Sequence, residues 1–142
     1  ILLNRVGRTP SATFGYSDNG LDITLDDQAA NGDVHGYRNV TTPAPGAPLT
    51  GIWAPDARAI DPNLVVFTDP RTSLLSSFNT LGASGDWTLF VADLTTGEEQ
   101  RLVQWSLTIT GDLVPEPTCM TLLAFGGVLL AGGRRRGRGC PS

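Results

Sequence analysis

The sequence predicts an all-β domain over residues 1–112 followed by a processing tail over 113–142, and three observations carry that reading. Two runs between Gly85 and Asp112 alternate apolar and polar residues with period two. Gly and Pro number 17 and 10, charged residues make up 17% and hydrophobic ones 40%, a balance that suits short strands and tight turns rather than disorder. Charge is segregated: residues 1–114 hold 13 Asp and Glu against six Arg, while 115–142 hold one Glu against four Arg. With 142 residues, one compact domain with appendages fits and two full enzyme domains do not. The acidic body repels phosphate backbones, so nucleic acid is excluded as a partner.

Along the chain, Ser17–Asp33 (SDNGLDITLDDQAANGD) is dense in Asp18, Asp22, Asp26, Asp27 and Asp33. Such a stretch forms solvated turns in which Asp side chains accept nearby backbone amides, or an oxygen-rich cation site. No glutamate closes an EF-hand loop at its twelfth position, and Asp26 with Asp27 is the pair expected to hold a structural calcium ion. Calcium is the one cofactor the sequence suggests. Thr41–Ile60 reads as an irregular Pro-, Ala- and Gly-rich loop in which Pro43, Pro45 and Pro48 exclude a central strand. Trp53 in that loop is expected to cover a sandwich edge, with a sugar-stacking platform as the alternative. Asn63–Thr68 (NLVVFT) is a further short strand candidate.

The clearest strands are the last two. Trp87, Leu89 and Val91 alternate with Thr88, Phe90 and Ala92, and Val103, Trp105, Leu107 and Ile109 alternate with Gln104, Ser106 and Thr108. Period two over both runs predicts two half-buried strands, with Leu94–Gln100 as a hairpin loop and Leu102 out of phase as a bulge or the loop's edge. Two inward tryptophans would bury about 150–250 Å² each and supply much of a small sandwich core.

No catalytic set emerges. His35 is the only histidine, and no serine sits in a Gly-x-Ser-x-Gly elbow. Gly82-Ala83-Ser84-Gly85 precedes a strand rather than a helix, so it offers no phosphate cradle. Asp93 and Glu98 are loop charges without a neighbour to raise a carboxyl pKa. Cys119 and Cys140 are the only cysteines and both lie in the tail. A disulfide framework, a thiol nucleophile and a zinc-thiolate site are therefore excluded for the body.

The tail is the most specific stretch. Thr118–Gly133 is 16 residues without charge, about 24 Å as a helix against a bilayer core of about 30 Å. Four glycines weaken it, and Arg134, Arg135, Arg136 and Arg138 follow at once, as residues that hold a C-terminus in the cytoplasm do. Such a segment suits processing better than permanent anchoring.

Pro115-Glu116-Pro117, the apolar run and the arginine cluster together resemble a PEP-CTERM sorting signal of Gram-negative bacteria. That resemblance implies a short hydrophobic helix, recognition by a membrane-embedded exosortase, a transient stay in the inner membrane, and delivery to the cell surface or extracellular matrix. The Gly-Cys-Pro-Ser extension at the end is longer than such tags usually show. In the body, Gly85, Trp87, Leu89, Val91 and Asp93, then Leu102, Trp105, Ser106, Leu107 and Gly111, resemble the closing strands of the P-domain (Homo B) found behind kexin-like and other subtilisin-type proteases. Leu25–Ala29 is similar to its Phe-Asp-Asp-x-Ala segment, Leu74–Phe78 to its Leu-x-x-Phe stretch, and Leu2–Gly7 to an early strand.

The P-domain resemblance implies a jelly-roll-like antiparallel β-sandwich with Trp87, Leu89, Asp93, Trp105 and Leu107 as its core signature. The family's opening strands have no counterpart here. With Ile at residue one, the sequence is expected to be a piece whose opening strands and export signal lie upstream. Three functional expectations follow: an exported non-catalytic surface or matrix module; the accessory domain of a subtilisin-like serine endopeptidase whose catalytic domain lies upstream; or a carbohydrate-binding sandwich. The partners they imply are the exosortase, that upstream protease domain, or a surface polysaccharide.

Overall fold

The computed structural model describes residues 1–94, 96 and 101–111. The chain divides into two compact units, Ile1–Leu81 and the residues from Gly82 onward. The first contains two strands, β1 (Leu21–Leu25) and β2 (Leu49–Trp53), and two short 3₁₀ helices, Val34–Asn39 and Leu75–Phe78.

β1 forms where Leu21, Ile23 and Leu25 alternate with Asp22 and Thr24, the period of a strand with one half-buried face. β2 starts directly after Pro48, where proline no longer removes a ladder donor. The two pair in parallel, with Leu21 opposite Leu49, Ile23 opposite Gly51 and Leu25 opposite Trp53. Parallel pairing requires a long crossover, which the 26–48 segment supplies and which carries the Val34–Asn39 helix. Past β2 the ladder changes edge: the Val34 amide donates to Ala54 O and the Ala54 amide to Gly32 O.

Val34, Tyr37, Leu49 and Trp53 form the buried core, with Val6, Tyr16, Ile23 and Leu25 packed against it. The Tyr37 ring meets Tyr16 and Trp53 edge to face, at centroid distances of 4.8 and 6.2 Å, the arrangement the ring quadrupole favours. Trp53 satisfies its indole N–H on Thr50 O at 2.9 Å. Gly7 is indispensable here: its φ is +79°, and a Cβ would collide with the Tyr16 ring.

The antiparallel β-sandwich expected from the sequence is not what forms. The one sheet among the described residues has two strands, and they are parallel. Residues 85–94 and 101–111 contain no strand, and their apolar side chains lie open, with Phe90 83%, Val103 81% and Trp105 47% exposed. Trp87 and Leu107 are exposed too and Leu89 is half-buried, so the core signature does not form the core of the described structure. Alternation marks which face of a strand could be buried, but a strand needs a neighbouring backbone to bond. Asn63–Thr68 is likewise a pair of turns, because the Asp61 and Asp69 side chains accept the Asn63 and Val66 amides. Leu2–Gly7 forms no strand, with bend and turn over 4–7, and within Leu74–Phe78 the residues Leu75–Phe78 close as a 3₁₀ helix. The Thr41–Ile60 segment contains β2 rather than only loop, and Trp53, 1% exposed, lies in the core with no face to offer a sugar.

Candidate functional site

The densest chemistry in the Ile1–Leu81 unit is a buried ionic network around His35. The His35 amide donates to Asp33 Oδ1 at 2.9 Å, capping the 3₁₀ helix and turning the imidazole inward. His35 Nδ1 lies 2.6 Å from Asp56 Oδ2, and Asp56 Oδ1 accepts from Arg58 Nη1 at 3.1 Å. Arg58 Nη2 donates to Asp33 Oδ2 at 2.6 Å and to the Phe67 carbonyl, while its guanidinium lies over the Phe67 ring. Asn4 adds a backbone bond to Asp56 Oδ2 and two side-chain bonds, to Arg58 O and Ile60 O. Arg8 Nη1 reaches Val65 O at 2.8 Å, and Arg71 Nη2 reaches Pro55 O at 2.7 Å.

His35, Asp56 and Arg58 are 1%, 0% and 2% exposed. Charges this deep are tolerated only when paired and hydrogen-bonded. Burial disfavours the Arg58 charge, but the carboxylates of Asp33 and Asp56 outweigh it and hold the guanidinium above its usual pKa. Two atoms, Arg8 Nε and Arg58 Nε, lack a partner among the described residues.

A histidine oriented by a carboxylate is the arrangement of a general base. Here the other ring nitrogen, Nε2, faces the Arg8 carbonyl at 3.3 Å, so main chain fills the place a nucleophile's hydroxyl would take. The arrangement therefore fastens segments 4–8, 33–35, 54–58 and 65–71 to one another. This network is not legible in the sequence. Its only signal was that the single histidine and the Asp56-Ala57-Arg58 triplet occur at all, since neither composition nor spacing reports burial.

The acidic residues singled out in the sequence go to separate places. Asp18 accepts from Tyr37 Oη and takes a two-pronged bond from Arg38, Nε at 2.8 Å and Nη2 at 2.7 Å. The Arg38 and Tyr37 bonds hold its carboxyl below the usual range. Asp33 belongs to the His35 network. Asp26 Oδ1 accepts the Gln28 amide, an Asx turn. Asp27 accepts the Leu75 and Ser76 amides on its two oxygens, at 2.9 and 2.6 Å, and so starts the second 3₁₀ helix. Burial raises the Asp27 pKa, yet those amide bonds prevail and lower it. A cation at Asp27 would compete with two amide donors, and among the described residues no cluster of three or more acidic, histidine or cysteine side chains suits a metal ion.

A depression of ≈ 340 Å³ is lined by residues that include Thr42, Pro43, Ala44, Ala47 and Pro48, with no titratable side chain. Among the described residues no helix is long and apolar enough to cross a membrane. The sorting residues Pro115, Glu116, Pro117, Arg134, Arg135 and Arg136, with the hydrophobic helix expected between them, lie outside the described residues. No protein-family model, no curated protein and no solved structure matches this chain.

Proposed function

We propose that this chain is an exported, non-catalytic module that a PEP-CTERM-like tail delivers to the surface or extracellular matrix of a Gram-negative bacterium. The observation that carries the reading is the ordered tail: Pro115-Glu116-Pro117, then 16 uncharged residues, then Arg134, Arg135, Arg136 and Arg138. The apolar run is short for a permanent span, and the arginines anchor it on the cytoplasmic side while a membrane enzyme acts near the triplet. Two features of the body support the reading. It has no cysteine before Cys119, so export to an oxidising compartment requires no disulfide pairing. Its one histidine is committed to Asp56 and to main chain, which fits a module that binds or builds rather than turns over substrate.

The test is to fuse a secretion signal ahead of Ile1 and express the full chain in a host with an exosortase and in its exosortase-deletion strain. Mass spectrometry of the surface protein should find cleavage near Pro115-Glu116-Pro117 in the first host only. Deleting Arg134–Arg138 should leave the chain unprocessed. An intact Ser142 terminus on surface protein from the exosortase-bearing host would overturn the proposal.

A further inference from the structure

The two edges of the β1–β2 sheet are finished differently. The Leu49 amide donates to Gly20 O and the Asp26 amide donates to Trp53 O. In a parallel ladder this directs the β1 backbone at Asp22 and Thr24 towards β2 and leaves that of Leu21, Ile23 and Leu25 facing away. By the same parity Thr50 and Ile52 face outward from β2, and there the edge is closed. Thr50 O accepts the Trp53 indole, Ile52 O accepts the Asn31 side-chain amide at 3.0 Å, and Ala54 bonds to Gly32 and Val34. No bond among the described residues reaches the outward amides and carbonyls of Leu21, Ile23 and Leu25. No proline and no bulge blunts this edge, and Asp22 is its one charge.

We infer that the open β1 edge is a self-association surface, on which β1 of a second copy of this chain pairs antiparallel about a two-fold axis centred on Ile23. The five residues read almost the same in both directions, which makes the edge its own complement. Leu21 falls opposite the second copy's Leu25, Ile23 opposite its counterpart, and Asp22 opposite Thr24, so no two carboxylates face each other directly. All three outward residues enter hydrogen-bonded pairs, and Asp22 with Thr24 forms the closer, non-hydrogen-bonded pair. The two half-sheets become a four-stranded sheet. Leu21, 40% exposed, gains an apolar neighbour, and the apolar stripe of Leu21, Ile23 and Leu25, of which the last two are half-buried, continues across the axis. Such an isologous pairing closes on itself and does not propagate into fibres. With five residues a side, the dimer is weak and depends on concentration.

The test uses the full chain, measured by sedimentation equilibrium and by amide exchange up to about 1 mM, where millimolar affinities are visible. Raising the concentration should give a monomer–dimer equilibrium and slow exchange at Leu21, Ile23 and Leu25. The Asp22 and Thr24 amides, already bonded to β2, should be protected throughout. Thr24→Asp places two carboxylates opposite each other twice per dimer and should weaken association roughly tenfold. Asp22→Lys/Thr24→Asp should restore it with opposite charges. Both sites are exposed, and unchanged protection of the buried Val34 amide, bonded to Ala54 O, checks that each variant is folded. A chain monomeric at every concentration would overturn the inference. So would a dimer that ignores both substitutions, as one formed through the exposed apolar residues of 85–111 would, or protection of the outward amides without the charge response.

Discussion

Residues 1–81 and the described residues of 85–111 both treat their side chains contrary to what their patterns suggest, in opposite directions. The first region is rich in Asp and Arg, yet it seals His35, Asp56 and Arg58 inside and builds its core from four residues. The second has the most regular alternation in the chain, yet leaves Phe90, Val103 and Trp105 open. The difference is one of partners. Each buried charge in the first region meets an opposite charge or a carbonyl within hydrogen-bond distance, while the second, among its described residues, pairs with no neighbouring strand that would make its alternation useful. Burial follows from what a group can be paired with, and hydrophobicity alone does not decide it.

Breaking the network is the largest test of that contrast. Asp56→Ala leaves His35 and Arg58 buried without their shared carboxylate and frees the Asn4 amide. Removing one partner of a buried ionic group costs about 3–5 kcal/mol, against a total of about 5–15 kcal/mol for a domain. Urea denaturation of the full chain, followed by far-UV circular dichroism, should show the 1–81 transition largely abolished or its midpoint sharply lowered. A loss below about 1 kcal/mol, the value of an exposed pair, would mean that the network does not hold the unit together.

The tryptophans compare the two regions directly. Trp53→Ala removes the largest buried side chain and should cost about 3–5 kcal/mol. Trp105→Ala, at an exposed position, should stay within about 0.5 kcal/mol. Equal and large losses would place Trp105 in a core and restore weight to the sandwich expected from the Gly85–Gly111 pattern.

A smaller effect belongs to Asp27. Asp27→Ala removes the acceptor of the Leu75 and Ser76 amides, a change comparable to losing a helix cap, about 0.5–2 kcal/mol. Amide exchange at Leu75 and Ser76 should quicken more than exchange at Val34. Uniform quickening would instead mean that the Leu75–Phe78 helix and the core open together.

These residues also show what the sequence made legible. The turn-rich, helix-poor character of the body was readable from its glycines and prolines, and the exclusion of Pro43, Pro45 and Pro48 from a strand holds, since β2 begins only at Leu49. β1 was not predicted: Leu21-Asp22-Ile23-Thr24-Leu25 does alternate, but five residues among so many aspartates fit the expected solvated turns or cation site equally well. The parallel pairing was not readable, because it depends on a crossover whose own helix is only six residues of 3₁₀. The His35 network was least readable of all: Asn4, Arg8, Asp33, Asp56 and Arg58 are brought together from distant positions, and no local period records that. A resemblance to a family's last two strands could not supply it, since the described core is built from residues before Gly82.

The smallest effect is at the surface, where charge pairing carries little stability and pH can isolate it. Asp18 is held below its ordinary pKa of 3.8 by Arg38 first and Tyr37 second, and Arg38 also covers the Tyr16 ring, with its carbon 4.7 Å from the ring centre. A carboxyl whose folded pKa is depressed contributes stability that is fully present above its unfolded pKa. That contribution is lost as pH falls from about 3.8 through the lower folded value. Because the pair is solvent-exposed the gain is small and screened by salt. Asp18→Asn should therefore lower the urea midpoint slightly at neutral pH, and the difference from wild type should shrink below pH 4 and with added salt. The buried pairs around Asp56 should respond far less to salt, being shielded from mobile ions. If the Asp18→Asn difference were constant from pH 7 to pH 3, the Tyr37 and Arg38 contacts would act by packing alone, and the contrast between a screened surface pair and a sealed internal one would have to be drawn elsewhere.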